Sequence, residues 1–208
     1  MLTLYYAPDT CALASHIALE EASASYDLKR VDFSNNEQRS DAYLAINPKA
    51  RVPTLLTDRG MLTETPAILA FIAQTFPAAS LAPIEDPFAF AEVQSFNSYL
   101  CATVHVAHAH RKRAYRWADD PEAIKAMQRK VPQSVGSAFA LIEDHLLRGP
   151  WVMGDTYSVC DAYLFTLAQW LEADGAPTDR LPRVLDHRQR MSQRPAVRRA
   201  IAAELART

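Results

Sequence analysis

The chain opens on a short apolar and aromatic run, Leu2 to Tyr6, built from residues that favour strands. Ala7-Pro8-Asp9-Thr10 breaks that run, because proline removes a donor while Asp and Thr favour turns and caps. From Cys11 onward Leu13, Ile17 and Ala18 repeat at helical spacing, with Asp9 or Thr10 placed to cap the start. Tyr26 to Val31 alternates, imperfectly, as a second strand. A strand-helix-strand unit this compact predicts a parallel pair with a right-handed crossover. Phe33 to Arg39 is polar and reads as a loop, and Asp41 to Ile46 as a short helix ended by Asn47-Pro48. Arg51 to Leu56 is an apolar strand with a proline near its start. Asp58-Arg59-Gly60 then turns Thr54–Thr57 back on Met61–Thr63, an antiparallel hairpin. The hairpin leads straight into a helix, with Thr65 suited to its N-cap and Pro66 to its first position. Ile68, Leu69, Ile72 and Phe76 supply its apolar face.

Phe76 to Pro87, with three prolines and no periodicity, reads as a linker. The rest of the chain is helical in pattern: Phe88 to about Trp117, Pro121 to His145, Ser158 to Glu172, Leu181 to Ser192 and Pro195 to Leu205. Strands confined to the first part and helices to the second predict two domains of different class. We expect an α/β domain over residues 1–77, a linker over 78–87 and an all-α domain over 88–208.

Composition narrows the function classes more than the fold. The chain has 208 residues, 49% hydrophobic and 22% charged, enough for a sizeable core. A formal net charge of -2 gives no reason to expect nucleic acid or an anionic membrane as partner. The first residues lack the basic region and long apolar segment of a signal peptide, and no later apolar run approaches the roughly 20 residues that span a bilayer. Cys11, Cys101 and Cys160 are few, odd in number and far apart, which argues against a disulfide framework. A reducing cytoplasm fits this best.

Three local patterns carry chemistry. Cys11 falls in the first turn of a helix, where unpaired N–H groups and the positive end of the dipole stabilise a thiolate; the bland alternative is a small buried hydrophobe. Val52-Pro53 is either a plain start to a strand or a cis-proline that leaves Val52 backbone groups free to pair with an extended peptide-like ligand. Glu64-Thr65 at a helix start is either a good cap or a grip for an amino-acid head group, with Thr65 and the amides on the carboxylate and Glu64 on the ammonium.

Together, in this order, Cys11 in a strand-turn-helix, Val52-Pro53 at a strand and Glu64-Thr65 at a helix start resemble the thioredoxin-like domain of a glutathione transferase. The helical remainder resembles that family's C-terminal domain, so the resemblance covers essentially the whole chain. Cys11-Ala12-Leu13-Ala14-Ser15-His16-Ile17, Asn47-Pro48-Lys49 and Gln193-Arg194-Pro195-Ala196-Val197 are similar to the bacterial beta class. The resemblance implies a cytoplasmic homodimer that uses glutathione as co-substrate with a small hydrophobic electrophile, and no metal. It implies conjugation or other glutathione-dependent thiol chemistry, with Cys11 beside the glutathione sulfur and His105 assisting that sulfur. Val52, Pro53, Glu64 and Thr65 would bind glutathione, as would Asn36 and Ser98 at positions the family uses for it. Here the sequence departs from close relatives. A loop that supplies a lysine reads Ser34-Asn35-Asn36, and the first long helix carries Ser98, Ala102 and Val106, less polar than usual. The rival readings are a glutathione-dependent isomerase, dehalogenase or disulfide reductase on the same fold, and a non-catalytic binding protein.

Two patterns are expected to stand outside the chemistry. Ser158-Val159-Cys160-Asp161 has the spacing of a capping box, so Ser158 and Asp161 are expected to start a buried helix. His105 and His108 share a helix face, but no further ligand accompanies them, and His108 to Arg113 reads as a solvated basic run. His16, five residues after Cys11, lies round the helix from the thiol and is expected to be structural.

Overall fold

A computed structural model describes residues 1–206. Strand β1 (Leu2–Tyr6) lies at the middle of a four-stranded sheet of order β2-β1-β3-β4. It runs parallel to β2 (Tyr26–Arg30), in register from Leu2 with Tyr26 to Tyr6 with Arg30, and helix α1 (Ala12–Glu21) makes the crossover. β3 (Thr54–Thr57) runs antiparallel to β1, Tyr5 facing Thr54, and β4 (Gly60–Thr63) returns beside it, Thr54 facing Thr63. Alternation along β1 covers both faces of the sheet. Tyr6 turns toward α1, with its ring 6.2 Å from that of His16, while Tyr5 meets Tyr43 of the short helix α2 (Asp41–Ile46) edge-on at 5.8 Å.

The register has a functional consequence. The C-terminal ends of β1, β2 and β4 and the N-terminal end of β3 all lie at one end of the sheet. The loop before Cys11, the segment before Thr54 and the start of helix α3 (Thr65–Thr75) therefore emerge together.

The C-terminal helix belongs with this layer. Compact packing divides the chain into Met1–Gln94 with the residues from Ser192 on, and Ser95–Met191. This grouping differs from the sequence expectation, which placed residues 88–208 together. The cause is the surface of α1, which packs against α9 (Pro195–Leu205). Arg194 holds Glu21 through two bonds of 2.6 and 2.9 Å, Arg199 reaches Glu20 at 2.6 Å, and buried His16 meets Glu204 at 3.0 Å. His16 is thus structural, as the sequence suggests.

In the helical unit, the expected first long helix is interrupted. α4 (Pro87–Tyr99) passes into a π-helical turn over Leu100–Val104 before α5 (His105–Arg113) resumes. α6 (Pro121–Leu141) ends in a second such turn, Ile142–Leu146. Each wide turn shifts the angular phase of the residues beyond it, so an unbroken helical wheel misplaces side chains across the turn. Gly136 of α6 is a point of close approach: a Cβ there would stand 2.8 Å from the Pro177 ring. Every residue of α7 (Val159–Ala168) is buried. The capping box at its start is present on both sides: Ser158 Oγ accepts from the Cys160 amide at 3.3 Å, and Asp161 Oδ2 accepts from the Ser158 amide at 2.7 Å. Asp161 also reaches beyond its own helix. Its Oδ1 accepts the Val152 amide at 2.8 Å and the Nε2–H of His187 at 2.9 Å, on α8 (Pro182–Ser192). Glu143, in the turn after α6, caps α8 from outside, accepting the Arg183 and Val184 amides at 2.9 Å each. Among the described residues, no helix is long and apolar enough to cross a membrane.

Candidate functional site

Cys11 is the N-cap of α1, one position earlier than the first-turn placement expected from spacing. Its sulfur points to the Val52 carbonyl at 3.7 Å. Thr10 does the local folding work: its hydroxyl donates to the Ala7 carbonyl at 2.7 Å and accepts the Ala12 amide at 3.3 Å. Asp9 sits beside it in the left-handed region at φ 56° and forms the tight part of the turn. The Cys11 side chain is only slightly exposed, at 8%. None of the three cysteines is in a disulfide. Burial, together with the neighbouring Asp161 charge, pushes the Cys160 thiol far up, so that thiol is inert.

Val52 and Pro53 are joined by a cis peptide bond, as in the sharper of the two sequence readings, but the Val52 carbonyl is not free as that reading expected, since it accepts from Cys11 Sγ. Two buried polar side chains hold the segment in place. Tyr43 OH donates to the Arg51 carbonyl at 2.7 Å, and Asn47 Nδ2 donates to the same oxygen at 2.8 Å and to Thr54 Oγ1 at 2.8 Å. Burial raises the Tyr43 hydroxyl above its ordinary pKa, so it stays a neutral donor. These two residues support the segment structurally, and the sequence reading does not single them out for it. Asn47-Pro48 reads as a helix stop and, with Lys49, as part of the family resemblance, and neither reading gives Asn47 this role. Among the described residues the Val52 N–H has no hydrogen-bond partner.

The start of α3 departs from expectation in one position. The N-cap is Glu64, and Thr65 is the first helical residue. Glu64 takes φ 70° and ψ 119°, outside the ordinary left-handed well, at a cost of about 1–3 kcal/mol for a residue with a Cβ. The turn from β4 into α3 has a single residue to make the change of direction, and Glu64 absorbs it. Thr65 is buried at 4% exposure, and neither its N–H nor its hydroxyl has a partner among the described residues. Lys49 Nζ meets the Glu64 carboxylate at 2.7 Å and Thr63 Oγ1 at 2.9 Å. Both ends of that pair are about half exposed, so it is worth about 0–1 kcal/mol and can yield to another ammonium.

The remaining expected residues fall elsewhere. Asn36 is exposed in the left-handed region at φ 56°, in the loop after β2. That loop is bound into itself: Asp32 accepts from the Ser34 amide and hydroxyl and from the Asn35 side chain, and Glu37 accepts the Asp32 amide at 2.6 Å. Ser98 is exposed on α4, Ala102 is exposed in the π-helical turn, and Val106 is half-buried on α5. His105 packs against Trp170, ring to ring at 5.4 Å, and its Nε2 lies 3.4 Å from Arg113 Nη2. His108 is not part of a solvated run. It stacks on Trp170 at 4.1 Å, its Nδ1 meets the buried Asp174 carboxylate at 2.8 Å, and its side chain is 11% exposed. The helix phase places these rings inward, which a count of basic residues does not reveal. Among the described residues no group of three metal-ligating side chains gathers.

Taken by itself, the first unit is a thioredoxin-like layer. A thiol, a partnerless strand amide and a helix start with a buried hydroxyl lie at one end of its sheet, and a helical unit follows in the chain. Such an end is fitted to a short peptide that carries a thiol and an amino-acid head group. Residues 1–74 match the family model described as glutathione S-transferase, N-terminal domain, and residues 106–203 match its C-terminal domain. The glutathione S-transferase GstA of Escherichia coli O157:H7 is 32% identical over 206 residues, covering 98% of each chain. A glutathione transferase homologue from Sulfitobacter, solved with bound glutathione, is 41% identical with a TM-score of 0.92, over 100% of this chain and 98% of that one. A beta-class glutathione S-transferase of Sphingomonas chungbukensis is 33% identical with a TM-score of 0.84, over 97% and 98%. The chain belongs to the glutathione S-transferase family.

Proposed function

We propose that the protein binds glutathione at the Cys11 end of the sheet and transfers it to a small hydrophobic electrophile, or uses it in thiol chemistry. The observation that carries this reading is the convergence of three partners for a tripeptide. Cys11 Sγ stands on the Val52 carbonyl at 3.7 Å, the Val52 N–H is unpaired, and Thr65 offers an unpaired N–H and hydroxyl at the start of α3. The head-group carboxylate goes to Thr65 and the helix start, and its ammonium to Glu64, displacing or joining Lys49. The cysteinyl backbone pairs with Val52 on the Pro53 bend, which leaves the glutathione sulfur beside Cys11.

In this reading the chemistry depends on the charge of that sulfur. A free thiol titrates near ~8.5, so only a few per cent is thiolate at neutral pH. The positive end of α1 and the Cys11 thiol favour the thiolate, which forms as the glutathione thiol gives its proton to solvent. The thiolate then forms an S–C bond at an electrophilic carbon while the carbon–halogen bond breaks and halide leaves with the electron pair. The resemblance assigns His105 as a donor to the same sulfur. Asn36 and Ser98 are assigned the outer contacts to glutathione. A homodimer, a cytoplasmic setting and a functional division at residues 78–87 belong to the same reading.

Titration calorimetry with glutathione tests it. Binding in the micromolar to millimolar range, together with conjugation of a chloronitroarene, is expected. Absence of heat at millimolar glutathione would overturn the enzyme reading.

A further inference from the structure

The helical unit carries a cleft built only from its own residues. α6 and the segment over residues 177–181, which leads into α8, border a space of about 360 Å³. That volume falls in the lower part of the range for small-molecule sites, ~300–1,000 Å³. His105 does not line it. We infer that this cleft binds a small aromatic acid, with the flat apolar body between the two walls and the carboxylate on Arg180. The inference goes beyond the glutathione reading and does not depend on it.

The walls are set before any ligand arrives. A Cβ on Gly136 of α6 would stand 2.8 Å from the Pro177 ring, and a Cβ on Gly175 would touch the Pro132 ring at 3.4 Å. Gly175 is also in the left-handed region at φ 70°, which suits glycine. Each glycine thus receives a proline ring from the opposite wall. The two contacts lie one turn apart on α6 and two residues apart on the facing segment, so they fix both its distance and its direction. Proline rings have no side-chain rotamers to reorganise, so the gap beside them keeps its width and a ligand meets little ordering cost.

The lining selects the ligand. Pro132, Pro177, Ala140 and Leu181 make apolar walls. The polar groups among them are Gln133, Ser137 and Arg180, and all three can donate. Lys130 donates to Gln133 Oε1 at 2.5 Å, which leaves the amide NH2 for a ligand. Neither the Ser137 hydroxyl nor the Arg180 guanidinium has a hydrogen bond or ion pair among the described residues. Arginines on α8 are engaged instead: Arg183 on the Glu143 and Leu147 carbonyls, Arg188 on Glu172, and Arg190 on Asp186. Asp179 adjoins Arg180 in sequence and is exposed, but it does not line the cleft and makes no ion pair with Arg180. Donors at the edge of an apolar gap, with no carboxylate in the lining, match a head group that only accepts, and Arg180 offers it a planar fork.

Equilibrium dialysis of the full chain against 2-naphthoate and 2-naphthamide tests this, since the two share a body and differ in charge. Ser137→Phe puts a ring into the gap and is expected to lose one bound naphthoate per chain relative to the parent. Should that variant fail to fold, Ala140→Phe fills the same gap from the next turn of α6. Arg180→Gln is expected to weaken naphthoate at this site by about three- to tenfold and naphthamide by less than about twofold. Sedimentation velocity is expected to give the same assembly mass for parent and variants, and calorimetry the same glutathione affinity. Unchanged naphthoate stoichiometry in the filled variant, equal weakening of both ligands by Arg180→Gln, or no naphthoate bound by the parent at millimolar concentration overturns the assignment. So does a change of assembly mass in Ser137→Phe, which would give the cleft to a second copy of the chain. Failure of the parent to bind glutathione overturns only the tripeptide reading, because no residue of the cleft takes part in it.

Discussion

Removing the Asp161 carboxylate is the most informative test of how this fold is held. Asp161 has no exposed surface, and its two oxygens take four donors: the Val152 amide at 2.8 Å, His187 at 2.9 Å, the Ser158 amide at 2.7 Å and the Ser158 hydroxyl at 3.3 Å. Three of these are short, and each bond to a charged acceptor is worth about 1.5–3 kcal/mol. The contributions are not additive, because the donors share one group. Asp161→Ala also strands buried donors at Val152, Ser158 and His187, so we expect a loss of about 3–5 kcal/mol, the range for removing one side of a buried charged cluster. For a chain of this size the loss lowers Tm by roughly 2–4 °C per kcal/mol, or about 8–16 °C for a loss near 4 kcal/mol. Ser158→Ala removes two long 3.3 Å bonds, the cap to the Cys160 amide and the hydroxyl bond to Asp161, and is expected to cost about 1 kcal/mol. Urea unfolding followed by far-UV circular dichroism gives both values. Should Asp161→Ala abolish folding, Asp161→Asn keeps the shape but turns an amide NH2 toward donors, with an expected loss of about 2–4 kcal/mol. An Asp161 variant that unfolds within about 1 kcal/mol of the parent would refute the hub role. So would folded Asp161→Asn with reduced kcat, since Asp161 is then part of the chemistry.

Other outcomes rest on the same geometry. Cys11→Ala is expected to leave the fold intact and to lower conjugation or mixed-disulfide turnover by about tenfold or more, read by initial rates; unchanged rates would reduce Cys11 to a spacer. Thiol labelling of the native protein is expected to leave Cys160 unmodified until urea unfolds the chain, and glutathione is expected to protect Cys11. Gly136→Ala is expected to cost about 1–3 kcal/mol, because the added Cβ meets a rigid proline ring at 2.8 Å. The hydrogen bond from Arg188 holds Glu172 below its ordinary value near 4.5. A folded pKa lower than the unfolded one gives stability that is present above the unfolded value and lost as pH falls through the folded one. The Tm difference between the parent and Arg188→Gln is therefore expected to shrink on going from about pH 6 to about pH 3. A difference independent of pH would assign the effect to the bond from Arg188 to the Ala168 carbonyl or to packing of the arginine stem.

Much of the fold was legible because local rules decided it. Proline and glycine punctuation placed β1, β3 and β4, alternation placed β2, and the capping box marked the start of α7 to the residue. The order of Cys11, Val52-Pro53 and Glu64-Thr65 was enough to suggest the family, because each sits at an element boundary with its own composition. Helix phase was not legible beyond Tyr99, since a π-helical turn is set by packing against neighbouring elements. His108, read from its basic neighbours as a solvated residue, is instead stacked on Trp170 and tied to Asp174, partners more than sixty residues away in sequence.

The sequence by itself therefore determined the strands, their order and most of the helices, though not the π-helical turn that divides the expected first long helix. Those depend on a few residues in succession, on backbone sterics and on capping. Only the tertiary structure decided that Tyr43 and Asn47 hold the Arg51 carbonyl, that Glu64 rather than Thr65 caps α3, and that α9 packs on α1 through Glu20, Glu21 and His16. The α1–α9 contacts join residues more than 170 apart in sequence, the bonds to Arg51 close an irregular loop that no period describes, and the cap position depends on where β4 ends. Their partners are chosen by the register of the sheet and the faces that bury, and no local pattern records that choice.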